Sequence, residues 1–258
     1  MQTPEEIRKG IREGRISHPT AGLAPGYVQA NLVVLRKAYA FDFLLFCQRN
    51  PKPCPVLEVL EPGIYLTESL AKGADIRTDI PRYRIYRNGD LVETVKDIRD
   101  LWREDFITFL LGCSFSFEEA LLKNDIPVRH IEEGKNVPMF NTSIPVASAG
   151  IFKGNLVVTM RPIPEALVVR AVQITTRYAL VHGAPVHIGR PEAIGIRNLG
   201  KPDYGDPVTV REGEIPVFWA CGVTPQAVIR NAKPDLVITH APGHMLIGDI
   251  KNESLALL

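Results

Sequence analysis

Four residues of this chain have the type and spacing for nucleophilic or acid–base chemistry: Cys113, Cys221, His240 and His244. Cys221 lies in residues 216–226, PVFWACGVTPQ. Val217, Phe218 and Trp219 favour a strand, and Ala220, Cys221 and Gly222 are small enough to turn. Thr224 suits a helix N-cap and Pro225 the first helical position. The pattern predicts a thiol at a strand end beside the amide-rich start of a helix. Such a place lowers a thiol pKa and receives anions. His240 follows nineteen residues later, at the end of an apolar strand. Were the two strands adjacent and parallel, their ends would be about 5 Å apart. The thiol and imidazole would then form a nucleophile–base pair.

Cys113 repeats the device. FITFLL leads into Cys113, and Ser116 with Glu119 fits a capping box. Each thiol precedes a hydroxyl residue by three positions, although each is also a good core residue. In HAPGHM, His240 and His244 suggest a metal reading with Asp249 as third ligand. Pro242 and Gly243 remove the helical geometry that zinc proteases use, so no metal is expected. HGAPVHIG leaves two readings open for His182 and His187: lining the same cleft, or capping a strand. Arg84 and Arg161 are candidate anchors for a substrate carboxylate, since arginine grips carboxylates in a fork. Arg82 and Arg87 read first as hairpin-edge residues. Asp203 and Asp206 in PDYGDP read first as turn formers.

The 258 residues carry 30 Lys and Arg against 29 Asp and Glu, a net charge of +1. That balance gives no steering toward nucleic acid or acidic membrane. The N-terminal residues lack an apolar core for a signal peptide, and no run is long enough to span a membrane. Four scattered cysteines without a CxxC pair suggest free thiols in a cytoplasmic protein. No GxGxxG, P-loop, GxSxG or HExxH occurs, and no cofactor is expected.

The elements that must position these residues follow from periodicity and turn chemistry. Residues 4–14 read as a helix with a basic, solvated face, 27–48 as a longer helix, and 56–60 as a strand. Asn88-Gly89 marks a hairpin. Residues 95–103 read as helix, 139–146, 155–161 and 186–188 as strands, and 164–180 as helix. Residues 225–232 and 236–240 read as helix and strand. The expected fold is α/β: a three-layer α/β/α domain with parallel strands, from residues 1–135 and 201–258. A smaller two-layer β-β-α-β domain, 136–200, is inserted in it.

The motifs TDIPRYRIYRNG, FLLGCSFSFEEAL, VPMF, VVTMRP, HGAPVHIG, PVFWACGVTPQ and ITHAPGHM stand in this order. In this they resemble the D-glutamate cyclase family, whose bacterial members are called hydro-lyases. The resemblance runs over nearly the whole chain. It implies two α/β domains and loss of water from D-glutamate to give 5-oxo-D-proline. The chain departs from the family pattern at Asn141, Ser143 and Val146, where many members have arginine, asparagine and cysteine, and at Gly248, where threonine is usual. If that arginine holds a substrate carboxylate, Asn141 takes its place without the ion pair.

Cyclising glutamate requires a neutral amine, a stabilised oxyanion and a protonated leaving oxygen. Turn amides of 221–224 and Thr224 would receive the oxyanion, His240 or His244 would move protons, and Arg84 or Arg161 would hold the α-carboxylate. Cys221 would form a thioester or only shape the turn. Two other classes fit: a two-thiol racemase using Cys113 and Cys221, and a small-carboxylate-binding module without turnover. The expected partner is a small carboxylate; homo-oligomerisation stays open.

Overall fold

The computed structural model describes residues 2–256. The chain runs α1 (Pro4–Arg12), β1 (Tyr27–Arg36), α2 (Lys37–Arg49), β2 (Val56–Leu60), β3 (Tyr83–Arg87), β4 (Asp90–Val95), β5 (Phe106–Gly112) and α3 (Phe115–Leu122). It continues α4 (Arg129–Glu132), β6 (Met139–Pro145), β7 (Asn155–Pro164), α5 (Val168–Thr176), β8 (His187–Ile188), β9 (Glu214–Ala220), α6 (Thr224–Ala232), β10 (Val237–His240) and β11 (Leu246–Lys251).

Helices and two sheets make a mixed α/β protein. The larger sheet has the order β2-β5-β1-β10-β3-β4, with β11 also beside β1; the smaller is β6-β7-β9-β8. Among the described residues every pairing of these strands is antiparallel. This corrects the expected parallel layer. The helix α6 does not cross between parallel neighbours. It carries the chain from β9, in the smaller sheet, to β10, which runs antiparallel to both β1 and β3. β9 pairs with β7 along its whole length, Ala220 with Val158 through Glu214 with Pro164. Cys221 and His240 therefore come from different sheets.

The stretch expected as one helix over 27–48 divides in two. Leu32, Leu35, Tyr39, Phe43 and Phe46 do recur at helical spacing, but ANLVVLR is also a run of apolar strand formers, and periodicity alone does not separate the two. As the strand paired with β5, β10 and β11, β1 buries both faces. Val28, Ala30, Leu32 and Val34 join the core that also holds Ile163, Val217 and Trp219 of the smaller sheet. Val33 and Leu35 point the other way, onto Phe43 and Phe46 of α2 and Val228 and Ile229 of α6. The two-residue period of the strand thus feeds two cores. Residues 95–103, expected as helix, keep only a 3-10 turn at Arg99–Leu101.

The basic face of α1 is not merely solvated. Arg8 is buried and forks onto Asp249 at 2.8 and 3.1 Å, and Arg12 forks onto buried Asp79 at 2.8 and 2.7 Å. A capping box of Thr3 and Glu6 starts this helix.

The Asn88-Gly89 hairpin is as expected. Both residues are left-handed, with φ of 51° and 88°, as the two-residue I′ turn requires. A Cβ on Gly89 would also lie 2.5 Å from the Arg230 carbonyl oxygen. We expect Gly89→Ala to lower stability by about 1–3 kcal/mol, measured by urea denaturation, with Asn88→Gly close to neutral as the control.

Candidate active site

Two strand–turn–helix units meet where the sheets adjoin. β5 delivers Cys113 to α3, and β9 delivers Cys221 to α6. Their backbone turns match, and in the second the Val223 N–H also donates to Cys221 Sγ at 3.4 Å. The Thr224 N–H donates to the Cys221 carbonyl at 3.0 Å, and the Ser116 N–H to the Cys113 carbonyl at 3.1 Å. The equal offsets in the sequence thus correspond to one local geometry used twice.

The hydroxyls do not cap these helices. The cap positions are Ser114 and Val223, neither with a side-chain cap bond. Ser116 Oγ instead accepts the Gln29 N–H at 3.1 Å. Buried Thr224 fastens α6 to β7: its Oγ1 accepts the Val157 N–H at 3.0 Å and donates to the Val157 carbonyl at 3.2 Å. It has no free hydroxyl for an oxyanion. The Cys221 N–H is likewise bonded to the Val157 carbonyl at 3.0 Å. The amides of Cys221, Val223 and Thr224 are therefore already used.

Cys113, Cys221 and His240 line one cavity of about 20 Å³, together with Asn31, Ser114, Phe115, Thr159 and Met245. That is room for about one water. Burial pushes the Cys221 thiol up to about 12 and raises Cys113 further, where a neighbouring Cys221 charge adds to the effect. The expected lowering fails because burial outweighs the Val223 amide and the nearby Arg161 charge. Gly222 has its own reason to be glycine: a Cβ there would fall 2.1 Å from Asn31 Nδ2, which donates to the Gly112 carbonyl at 2.7 Å.

The two histidines of HAPGH carry their protons on opposite ring atoms. His240 Nδ1 lies 3.1 Å from the Leu32 nitrogen and 3.3 Å from the Leu32 oxygen. The N–H is a fixed donor and the shorter contact, so we assign Nδ1 as acceptor and the proton to Nε2. Burial lowers His240 to about 4, with the His244 and Arg84 charges adding to the effect. It is a neutral imidazole with its proton on Nε2, where the Gln226 amide nitrogen is a neighbour at 3.5 Å. Half-buried His244 places Nδ1 3.0 Å from the Pro242 carbonyl, which only accepts. Its proton is on Nδ1 and its lone pair on Nε2. Burial lowers its pKa also.

His244 opens on the other side of the loop, into a cleft of about 690 Å³ lined by His18, Arg82, Arg84, Asn136 and Tyr204. Ala241, Pro242 and His244 face this cationic cleft, whereas His240, Gly243 and Met245 face the thiol cavity. Arg84 thus stands where a carboxylate can reach it. Arg161 does not. It is fully buried, with its guanidinium on Glu118 Oε1, on Thr159 Oγ1 at 3.0 Å and on Ser114 Oγ at 3.0 Å. It lies between the Phe117 and Trp219 rings, 5.2 and 5.4 Å from their centroids. Its role is to hold Ser114 and Thr159, which face the thiols.

Other candidates lie elsewhere. Asp249 is held by Arg8, so it does not complete a metal set with His240 and His244. His187 sits in β8 opposite Phe218, with Nε2 2.8 Å from the Arg190 carbonyl, and does not line the thiol cavity. Asn141 is exposed in a separate polar cleft with Asn155, Tyr204 and Arg230. His182 is buried with Nδ1 2.8 Å from the Lys52 carbonyl, and burial lowers it to about 4. Asp203 and Asp206 accept the Asn141 and Asn136 N–H groups as turn formers.

Sequence reasoning missed Glu118, His130, Asn31 and Ser114. Glu118 is buried with Arg161 and with His130, whose Nε2 is 3.1 Å away. Burial alone would raise its carboxyl, but the His130 and Arg161 charges outweigh this and hold it at about 2. The signal was there: Glu118 is an acid on the apolar face of a short helix, in phase with Ser114 four residues before.

The family model described as D-glutamate cyclase matches residues 107–249, which include both thiol units, Glu118, Arg161 and both histidines. The chain belongs to the D-glutamate cyclase family. A relative from Thermoanaerobacter sp. strain X514 is 65% identical over 98% of this chain and 96% of its own. One from Bacillus subtilis strain 168 is 64% identical over 99% of each chain. Both bear the name "Putative hydro-lyase". A nitrogen repressor-like protein from Methanococcus jannaschii covers 98% of this chain and 99% of its own at 11% identity and a TM-score of 0.40, too distant to transfer anything.

Two outcomes follow from the buried charges. Arg161→Met leaves Glu118 without its guanidinium partner and should lower stability by about 3–5 kcal/mol in urea denaturation, with partial recovery in Arg161→Met/Glu118→Leu. The second concerns acid. His182 and His240 titrate near 4 folded, against an ordinary 6.5. Between these values the unfolded chain binds protons that the folded chain does not, so stability should fall as pH drops from 6.5 to 4. The fall should be smaller in His182→Asn, a residue that tolerates the left-handed φ of 88° at this position.

Proposed function

We propose that this protein is a hydro-lyase for a small acidic amino acid, D-glutamate first, closing it to 5-oxo-D-proline with loss of water. The observation that carries this is the HAPGHM loop with a cationic cleft on one side and a thiol–imidazole cavity on the other, in a chain of this family. Arg84, with Arg82 beside it, takes the α-carboxylate. His244 Nε2 removes a proton from the ammonium group. The amine then attacks the γ-carboxyl carbon, a C–N bond forms, and His240 Nε2–H donates to the oxyanion. The attacking nitrogen then gives up its second proton; as one C–O bond breaks, the departing oxygen takes that proton and the one held by His244 and leaves as water, with the remaining oxygen becoming the amide carbonyl. The raised thiol pKa values favour Cys113 and Cys221 as uncharged wall and donor groups over a thioester. Because the two rings face opposite sides of the loop, both reach one five-carbon substrate only when residues 241–243 shift and the thiol cavity opens into the cleft.

We take the larger sheet with its helices as a three-layer body and the smaller sheet as an inserted unit, with the thiol cavity at their seam. Four free, buried thiols fit a reducing, cytoplasmic setting.

A second reading, a two-thiol epimerase, is supported by the matched turns that bring Cys113 and Cys221 to one cavity. It requires one thiolate, which burial opposes.

The test is 5-oxoproline formation from D- and L-glutamate by the purified protein in deuterated water. We expect conversion of the D-form without deuterium at the α-carbon of recovered substrate. His240→Leu should lower kcat by about 10²–10³-fold, and Arg84→Leu should raise KM about 10–100-fold. No conversion of either enantiomer would remove the proposal. Deuterium at the α-carbon would favour the epimerase.

A further inference from the structure

A second cavity, of about 70 Å³, lies behind Phe115, which is a wall of both it and the thiol cavity. Loop residues 22–26, Tyr27, Gln29, Glu118, Glu119, Ile131 and Asn252 complete it, and its walls are mostly apolar. Gln29 is 4% exposed, and its Nε2 donates to the Thr20 and Leu23 carbonyls at 3.0 and 3.2 Å. Those two bonds fix the amide orientation, so its Oε1 is an acceptor, and that oxygen has no partner. Asn252, also 4% exposed, brings a second partnerless carbonyl oxygen, Oδ1. Glu118 adds an ionised carboxylate whose contacts to Arg161 and His130 all fall on Oε1.

Two buried carbonyl oxygens left unpaired cost stability unless something binds them. Their partner must donate hydrogen bonds or accept oxygen ligands, and it must be small. We propose that this cavity binds a small monovalent cation of ammonium or potassium size, through Gln29 Oε1, Asn252 Oδ1 and the free side of Glu118. Divalent ions fit less well. Calcium and magnesium draw on ionised carboxylates for their charge, whereas Glu118 is paired with Arg161, and Glu119 with Lys123 at 3.1 Å. Phe115 stacks on His130, with centroids 6.3 Å apart, so a bound cation would press on the wall of the thiol cavity. Two ordered waters are the competing occupant.

Thallium(I), which mimics both ions, distinguishes a bound cation from water by its anomalous signal. Crystals soaked in thallium nitrate should show an anomalous peak between Gln29 Oε1 and Asn252 Oδ1. In solution, potassium chloride and ammonium chloride should raise Tm above lithium chloride and choline chloride at equal ionic strength, by several degrees. An ammonium effect without a potassium effect would identify the hydrogen-bonding cation; equal effects would identify ligation by size. Gln29→Leu should abolish the difference. If that variant does not fold, the thallium peak on the unaltered protein still decides. No peak, with water at the site and equal Tm in all four salts, would overturn the proposal.

Discussion

The structure depends on one buried ion pair. Arg161, on β7 of the smaller sheet, meets Glu118, on α3 between the larger sheet and its neighbour. A charge without its partner in that place would be very costly. The pair therefore ties the two sheets together at one fixed point. Through Ser114 and Thr159, that point is also the back wall of the thiol cavity. Stability and site geometry share the same groups here, so neither changes without the other.

Much of this was legible in the sequence, because it depends on local rules. The Asn88-Gly89 hairpin, α6, and the strands β2, β6 and β7 follow from turn residues and alternation. The convergence of Cys113, Cys221 and His240 was legible in part, as residue types at strand ends. What was not legible was long-range. No local rule says that β9 leaves β10 to pair with β7, or that 27–36 becomes a strand because both of its faces find a core. The thiol environment was read with the wrong sign for a related reason: a helix start lowers a pKa, but only tertiary burial decides whether that matters. Arg161 was read as a substrate anchor because its partner Glu118 is far from it in the chain.

The HAPGH loop shows how little sequence is needed to set two acid–base roles. His240 Nδ1 meets the Leu32 N–H as its shorter contact, whereas His244 Nδ1 meets only a carbonyl, that of Pro242. That difference puts the proton on Nε2 in the ring that lines the thiol cavity and the lone pair on Nε2 in the ring that lines the cleft. Pro242 and Gly243 turn the chain sharply enough for the two rings to face opposite sides.

The position of β1 has a consequence for how the protein is made. It is flanked by β5, β10 and β11, and its register with β10 pairs Val33 with Thr239. One side of this largely apolar strand thus waits for a partner roughly 200 residues downstream. At ribosomal speeds of about 5–20 residues per second, that wait is on the order of 10–40 s. During it an open, hydrophobic strand edge is available to other chains. The strands β10 and β11 therefore act as a closure on the first one made.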